Sequence, residues 1–239
     1  MSGHNKWSSI KHKKGINDAK RANVFTKIGR MISIAAREGG GDLNSNFKLK
    51  MVVDKARSVN MPKDNIERAI KRGTGELKDG NMIEEVIYEA YGPSQVAMLI
   101  KVATDNKNRT LGEVRNILTK GGGKMVPAGS VNYMFNQLGE IEVNIEGKNG
   151  DDVEMIFIES GADDFSLEDG KAWIYCALTD LMIVKENLDK AGLEITNAEP
   201  TFIASQKSEL SESEKEKYEN LLEKLDENDD VVEIYDNLN

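Results

Sequence analysis

The sequence predicts an α+β protein of several domains, with an N-terminal three-helix domain and two α+β domains, at least one of them ferredoxin-like (βαββαβ). Residues 18–73 carry apolar side chains at the three- and four-residue spacing of amphipathic helices. After Gly73-Thr74-Gly75 the pattern changes to β-rich segments. Residues 139–197 then follow the order β-α-β-β-α-β of the ferredoxin-like split βαβ unit. A chain of 239 residues is long enough for two or three domains of ordinary size.

The first predicted helix, over residues 18–37, has one apolar and one basic face. Its apolar stripe consists of Val24, Ile28, Met31, Ile32 and Ala35. Its basic side chains lie roughly opposite that stripe and are Lys20, Lys27, Arg30 and Arg37. We therefore expect this helix to bury one face and to offer the other to phosphate. A second helix over residues 45–59 and a third from Pro62 to Gly73 complete a small helical domain.

The rest of the chain alternates strands and helices. Strands are predicted over residues 85–91, 96–103, 130–135, 140–145, 164–167, 171–177, 193–196, 200–204 and 231–235. Helices are predicted over residues 110–120, 151–160, 179–190 and 209–225. The tail and the segment 85–135 are expected to close one domain around an inserted one. The expected domains are 1–77, with a basic arm and three helices; 78–137 plus 198–239, a discontinuous α+β domain; and 138–197, an inserted ferredoxin-like α+β domain.

Charge is divided unevenly along the chain, and the net charge of −9 conceals this division. Residues 1–75 hold 17 Lys+Arg and 6 Asp+Glu, a net charge of +11. Residues 76–239 hold 15 Lys+Arg and 35 Asp+Glu, a net charge of −20. This separation is typical of a basic module that meets phosphate and an acidic body that phosphate repels.

The basic module begins with an arm, residues 1–16, that has no helical or strand period. We expect it to be mobile and to become ordered when it meets a partner. Its candidate nucleic-acid-binding residues are His4, Lys6, Trp7, Lys11, His12, Lys13 and Lys14. The candidates in the first helix are Lys20, Arg21, Lys27, Arg30 and Arg37. Lysines at this density attract a phosphate backbone, and the aromatic rings can stack on bases. The alternative is a solvated basic tail on an ordinary domain.

Two further segments are candidates for nucleic-acid contact. In the strand-to-helix loop Asp105–Thr110 the candidate residues are Asn106, Lys107, Asn108 and Arg109. The alternative for this loop is a capped turn with Asn108 or Thr110 as the cap, and both interpretations can hold together. In residues 71–75 the candidate is Arg72, although a helix C-cap before a linker is favoured there. The run 121–124 lacks the GxxxxGK[ST] pattern of a phosphate loop.

The sequence offers no catalytic or metal-binding set. Both histidines lie in the arm, so no Ser/His/Asp or Cys/His arrangement can form, and two histidines without a cysteine or helical carboxylate make a poor metal site. The acid pairs are interpreted as helix-start charges and solvated loops, and they are Asp151-Asp152, Asp163-Asp164 and Asp229-Asp230. We therefore expect a protein that is not an enzyme and that uses no cofactor and no small-molecule substrate.

Cellular location is predicted from what the chain lacks. Cys176 is the only cysteine, which excludes an intramolecular disulfide and fits a reducing cytoplasm. No apolar segment approaches the roughly 18 residues that span a bilayer. The N-terminus also lacks the apolar core of a signal peptide. We expect a cytoplasmic protein without a membrane partner.

The arm motif Gly3-His4-Asn5-Lys6-Trp7-Ser8-Ser9-Ile10-Lys11-His12-Lys13-Lys14 resembles the GHSKWxxIKHxK signature of the YebC family, with Asn5 in place of serine. The likeness continues in segments spread over nearly the whole chain, among them 18–21, 25–27, 69–73, 88–93, 105–110, 129–131 and 229–235. The resemblance implies a three-domain cytosolic or organellar protein with a helical N-terminal domain and two α+β domains. Family members have been described as DNA-binding transcriptional regulators and as translation factors, and the mitochondrial members are translational activators.

Two functions are therefore carried forward. The first is a ribosome-associated factor whose arm and helical domain bind rRNA or tRNA; an irregular arm and the absence of a recognisable groove-reading helix favour it. The alternative is a transcriptional regulator that binds duplex DNA, because phosphate attraction does not distinguish the two nucleic acids. A protein-interaction module that recruits a basic partner is a third possibility.

Overall fold

The computed structural model describes residues 18–77 and 82–238, with side chains from Ala22 onward. That part of the chain holds seven α-helices and two four-stranded antiparallel sheets, which confirms the predicted α+β fold. The helical part contains α1 (Asp18–Gly39), α2 (Phe47–Ser58) and α3 (Lys63–Gly73). The elements that follow are β1 (Glu84–Tyr91), β2 (Ala97–Thr104), α4 (Lys107–Lys120), β3 (Lys124–Val126), β4 (Phe135–Asn144), α5 (Gly150–Ser160), β5 (Asp164–Glu168), β6 (Lys171–Ala177), α6 (Leu181–Lys190), β7 (Glu194–Ala204), α7 (Glu212–Asp226) and β8 (Val231–Asp236).

Asn46 joins the first two helices. Its side-chain oxygen caps α2 by accepting from the amide of Leu49 at 3.0 Å. Its Nδ2 donates to the carbonyl oxygens of Ala35 and Gly40, each at 2.7 Å. The three helices then share one core, to which the predicted stripe of α1 contributes, and its buried members include Ile28, Ile32, Ala35, Leu49, Val53, Ala56, Ile66 and Ala69.

Gly73, the last residue of α3, lies directly against α1. A Cβ atom there would collide with the carbonyl oxygen of Ser33 and lie 2.8 Å from the Cβ of Ala36. Because a backbone oxygen cannot rotate away, Gly73→Ala must push the two helices apart. We expect this substitution to lower the free energy of unfolding by about 1–3 kcal/mol, measured by urea denaturation. The control is Gly112→Ala on α4, where a new Cβ meets nothing within 4 Å. An equal loss in both variants would contradict the packing role of Gly73.

The first sheet has the strand order β3-β1-β2-β8. Helices α4 and α7 lie over it, and their buried side chains join those of the strands in one core, which includes Ile100, Val114, Leu118, Tyr218, Leu222 and Ile234. Strand β8 comes from the end of the chain and pairs with β2 along Met98–Val102. Segments before and after the second sheet therefore build the first sheet together.

The prediction of a strand over residues 130–135 is wrong. The third strand of the first sheet is β3, and residues 132–134 form a short 3-10 turn. The cause is Glu89 on β1, whose buried carboxylate accepts three backbone amides. They are those of Gly129, Val131 and Asn132, at 2.5, 2.6 and 3.0 Å. Burial alone would raise the pKa of Glu89, but these hydrogen bonds outweigh it and hold the pKa below its usual range.

The second sheet has the order β5-β6-β4-β7 and confirms the ferredoxin-like prediction. Helices α5 and α6 pack on it around Ile141, Phe157 and Leu188. The prediction of two separate strands over residues 193–196 and 200–204 is wrong. Both segments belong to β7, a single strand that pairs with β4 over its whole length, with one register shift. Residues 198–204 thus belong to the second sheet, and the division of the chain into three domains at the expected boundaries stays a proposal.

Helix α1 is buried on two sides. Beyond the helical core, Ile34 packs in a second cluster with Ile83, Ala103 and Val232 at the first sheet. Ile34 is only 2% exposed. The helical domain is therefore seated on the first sheet through α1, and this contact decides the surroundings of the basic side chains of α1.

Candidate nucleic-acid interface

The whole predicted arm, residues 1–16, lies outside the described residues. This applies to the candidates His4, Lys6, Trp7, Lys11, His12, Lys13 and Lys14, and to the expectation that the arm is mobile. Lys20 and Arg21 fall within α1, but their side chains are also outside the described part. Contact of these residues with nucleic acid stays a prediction.

The side chain of Lys27 points toward the acidic segment Asp226–Asp230 near the C-terminus. Its side chain is 5% exposed, and Nζ lies 2.7 Å from a carboxylate oxygen of Asp226. One turn earlier, the Nδ2 of Asn23 donates to the carboxylate of Asp229 at 3.0 Å and to the carbonyl oxygen of Glu227 at 3.2 Å. The expectation that Lys27 faces phosphate is therefore wrong, because the segment Asp226–Asp230 occupies that face of α1.

Asp230 is the centre of this contact. Its carboxylate is ion-paired with Arg30 from α1 and with Arg109 from α4, the latter at 2.7 Å. The hydroxyl groups of Thr104 and Thr110 also donate to it. Burial alone would raise the pKa of Asp230, but the hydrogen bonds from Thr110 and Arg109 and the charge of Arg30 outweigh it and lower the pKa. The interpretation of Asp229-Asp230 as a solvated loop is thus wrong for Asp230, which is 3% exposed.

Two arginines of α1 also bind backbone carbonyl groups. Arg30 donates from Nη1 to the carbonyl oxygen of Ala103 at 2.7 Å. Arg37 donates from Nη1 to the carbonyl oxygen of Ile83. Both arginines therefore attach the helical domain to the first sheet, and the expected free basic face of α1 is used inside the molecule.

The loop Asp105–Thr110 is a helix cap. The side chain of Asn106 accepts from the amide of Arg109 at 3.1 Å, so the cap is Asn106 and neither Asn108 nor Thr110. Lys107 forms an ion pair with Glu84. Asn108 is exposed, and its contact with nucleic acid stays a prediction.

The helical domain also carries exposed cations, of which only Lys71 lay in a segment that the sequence analysis considered for nucleic-acid contact. Lys50 on α2 and Arg68 and Lys71 on α3 are exposed and form no ion pair with any residue in the described ranges. Arg68 and Lys71 are three residues apart and so share one side of α3. The signal that could have found them is the basic excess of residues 45–75, which lies beyond the arm. Arg72 follows Lys71 in the last turn of α3, and the helix ends at Gly73 with Thr74 as its C-cap, which agrees with the favoured C-cap interpretation.

A group of ionisable side chains lies where α2 meets the second sheet. Lys55 on α2 bonds Glu199 on β7 at 3.0 Å, and Glu199 pairs across the sheet with Glu140 on β4. Burial would raise the pKa of Glu199, but Lys55 outweighs it and lowers the pKa. Burial, together with the charges of Glu199 and Glu142, raises the pKa of Glu140 to about 8. One lysine thus neutralises one of two neighbouring carboxyl groups, and the other keeps its proton.

Because Glu140 lies beside Glu199 and keeps its proton, we expect the stability of the protein to fall as pH rises. The folded protein holds the Glu140 proton up to about pH 8, whereas the ordinary pKa of the group is 4.5. The stabilisation is complete below the ordinary pKa and is lost as pH rises through the folded value. Between about pH 5.5 and 8 we expect a loss of roughly 1–2 kcal/mol in the free energy of unfolding, discounted for partial exposure. Glu140→Gln should abolish most of this slope in urea titrations, whereas Glu194→Gln should keep it. An unchanged slope in Glu140→Gln would refute the assignment.

Neither metal nor thiol chemistry is evident in the described ranges. Among residues 18–77 and 82–238, no three His, Cys, Asp or Glu side chains are grouped to hold a metal ion. Cys176 is buried, and desolvation raises its pKa to about 11, so it stays a protonated thiol. In the same ranges, no helix combines the length and apolar character needed to cross a membrane.

Comparison with known proteins assigns the chain to a family. A family model described as the TACO1/YebC protein N-terminal domain matches residues 5–76, and one described as the TACO1/YebC second and third domain matches residues 83–238. A protein from Caldanaerobacter subterraneus, named a probable transcriptional regulatory protein, is 46% identical over 239 residues, covering 100% of this chain and 98% of that protein. A protein of the same description from Geobacter sulfurreducens is 49% identical over 243 residues, covering 99% and 95%.

The fold is shared with a solved structure. The crystal structure of a conserved hypothetical protein from Aquifex aeolicus superposes with a TM-score of 0.89 at 40% sequence identity, covering 98% of this chain and 96% of that one. The two family models together match residues 5–76 and 83–238, which is nearly the whole chain. The chain belongs to the TACO1/YebC family.

Proposed function

We propose that this protein is a non-enzymatic regulator of gene expression that binds nucleic acid through its basic arm and helical domain. The observation that carries the proposal is the separation of charge, +11 in residues 1–75 and −20 in the remainder. Relatives named probable transcriptional regulatory proteins support a regulatory role. Because Lys27, Arg30 and Arg37 are engaged inside the molecule, phosphate contact falls to the arm and to exposed cations of the helical domain.

The favoured target is RNA on the ribosome. An irregular arm rich in lysine, with Trp7 and two histidines, suits RNA loops and single strands, where bases are free to stack on aromatic rings. The packing of α1 between the helical core and the first sheet supports this choice, because a helix buried on two sides is not free to enter a DNA groove. Duplex DNA is the alternative, and the names of the relatives favour it.

The test is equilibrium binding of the full chain to single-stranded RNA and to duplex DNA across a range of salt concentrations. We expect the protein to bind RNA more tightly than the duplex at every salt concentration. The logarithm of the affinity should fall linearly with the logarithm of the salt concentration. Tighter, sequence-dependent binding to a duplex would replace the ribosomal role with the transcriptional one. Absence of binding to either nucleic acid would overturn the proposal as a whole.

A further inference from the structure

An open groove lies on the acidic part of the chain, between the end of α4 and one side of α7. It has a volume of about 550 Å³. Lys120 from the last turn of α4 and Lys217 and Lys224 from α7 line it. All three are exposed, and none forms an ion pair with any residue that the structure describes. Unpaired cations gathered in one groove are unexpected in a segment whose net charge is −20.

Helix α7 separates its charges by face. Lys217, Leu221 and Lys224 follow each other at the four- and three-residue spacing of one helical face. The acidic residues of the helix lie mainly on another side and include Glu212, Glu216, Glu219, Glu223 and Asp226. The core-facing side chains lie between these two faces and include Tyr218, Leu222 and Leu225. The helix is acidic in composition, yet the side that borders the groove is basic.

The glycine run after α4 brings the two helices together. A Cβ atom on Gly121 would lie 2.6 Å from a methyl carbon of Leu221, and one on Gly123 would lie 2.7 Å from the carbonyl oxygen of Tyr91. The amide of Gly121 is already bonded to carbonyl groups of α4, so the run does not act as a phosphate loop through its amides. Its role is to let α4 end against α7, and this places Lys120 beside the lysines of α7.

One acid borders the groove, and its carboxylate is engaged. Glu214 accepts hydrogen bonds from the hydroxyl group of Ser94 at 2.5 Å and from the amide and hydroxyl group of Ser211 at 2.9 and 2.6 Å. The hydrogen bonds from Ser211 and Ser94 lower the pKa of Glu214 to about 2. Glu214 is therefore the N3 residue of the capping box of α7, whose N-cap is Ser211, and it lies at one end of the groove while the lysines extend along the rest of it.

We propose that this groove binds the sugar-phosphate backbone of a single-stranded RNA segment. Lys217 and Lys224 are seven positions apart, which is about 10 Å along α7; this is longer than one phosphate group and suits consecutive phosphates. This inference rests on the proposed RNA-binding function and adds a second contact, remote in sequence from the arm, that would hold the same strand.

The experiment compares two variants that lower the net charge equally. Lys217→Ala/Lys224→Ala removes the lysines of the groove on α7, and Lys148→Ala/Lys190→Ala removes two exposed lysines of the second α+β part. Both full-length variants are titrated against a labelled RNA strand of roughly 12 nucleotides, a length within the usual site sizes of single-strand binders. We expect the groove variant alone to bind roughly tenfold more weakly at low salt, with a salt slope smaller by about 1.4.

Photo-crosslinking gives an independent readout on the unmodified protein. RNA that carries a photoreactive base should crosslink to peptides covering the end of α4 and helix α7. If the wild-type chain binds no RNA, the proposed function itself fails. If it binds RNA but the two variants behave alike and no crosslink maps to these helices, only the groove contact is overturned. If the groove variant loses affinity for duplex DNA or for an acidic peptide but not for the RNA, the RNA assignment is overturned.

Discussion

Asp230→Ala is expected to lower the free energy of unfolding by about 3–5 kcal/mol, because it removes a buried carboxylate that pairs with two arginines and accepts from two threonine hydroxyl groups. Arg30, with a side chain only 18% exposed, would lose its ion pair and keep only its hydrogen bond to the carbonyl oxygen of Ala103. Thr104 and Thr110 would lose their shared acceptor. Urea denaturation followed by circular dichroism measures the effect.

Asp229→Ala is the matched control for Asp230. Asp229 lies in the same acidic segment but is exposed, and it accepts one hydrogen bond from the side chain of Asn23. An exposed contact of this kind contributes less than about 1 kcal/mol. Equal stabilities for the two variants would mean that Asp230 does not hold the helical domain on the first sheet.

Reversing the charge of the arm with Lys11→Glu, Lys13→Glu and Lys14→Glu is expected to weaken RNA binding on the order of 100-fold at low salt. Each lost phosphate contact on a single strand lowers the salt slope by about 0.7, so the slope should fall by about 2. Stability should not change, because the effect acts on binding alone. Fluorescence anisotropy at several salt concentrations measures both quantities.

A charge-matched control separates the arm from the general charge of the protein. Lys148→Glu, Lys190→Glu and Lys207→Glu change the net charge equally, at exposed positions of the α+β part. This control should keep the wild-type salt slope. If it weakens binding as much as the arm variant does, attraction depends on net charge and not on the arm.

Local patterns predicted the helices and the ferredoxin-like unit well. Apolar spacing located the stripe of α1, and Gly73 marked the end of α3. Contacts between residues far apart in the sequence were predicted less well. Periodicity gave no signal for the second buried side of α1, because Ile34 packs against residues more than 40 positions away. Its neighbouring cations were interpreted as free, since an amphipathic pattern cannot show whether a basic face meets solvent or an acidic segment of the same chain.

The strand errors have equally specific causes. The carboxylate of Glu89 takes the backbone amides of residues 129–132 and so prevents the strand predicted over residues 130–135. The strands predicted over residues 193–196 and 200–204 are joined in β7, where Pro200 lies opposite Gly139 on the edge strand of the second sheet, a position that tolerates a missing amide. The opposite charges of residues 1–75 and 76–239 were interpreted only as attraction to an external phosphate. They also fit the internal pairing of Lys27 and Arg30 with Asp226 and Asp230.

The measurement that tests the proposed role most directly is sedimentation of the full chain and of the arm variant through sucrose gradients with ribosomes, at low and moderate salt, with and without nuclease. We predict that the wild-type chain comigrates with ribosomes at low salt and is released by nuclease, and that the variant at Lys11, Lys13 and Lys14 stays at the top of the gradient. Comigration of that variant at the wild-type level would contradict the role of the arm. A wild-type chain that stays at the top of the gradient yet binds a specific duplex would contradict the ribosomal target.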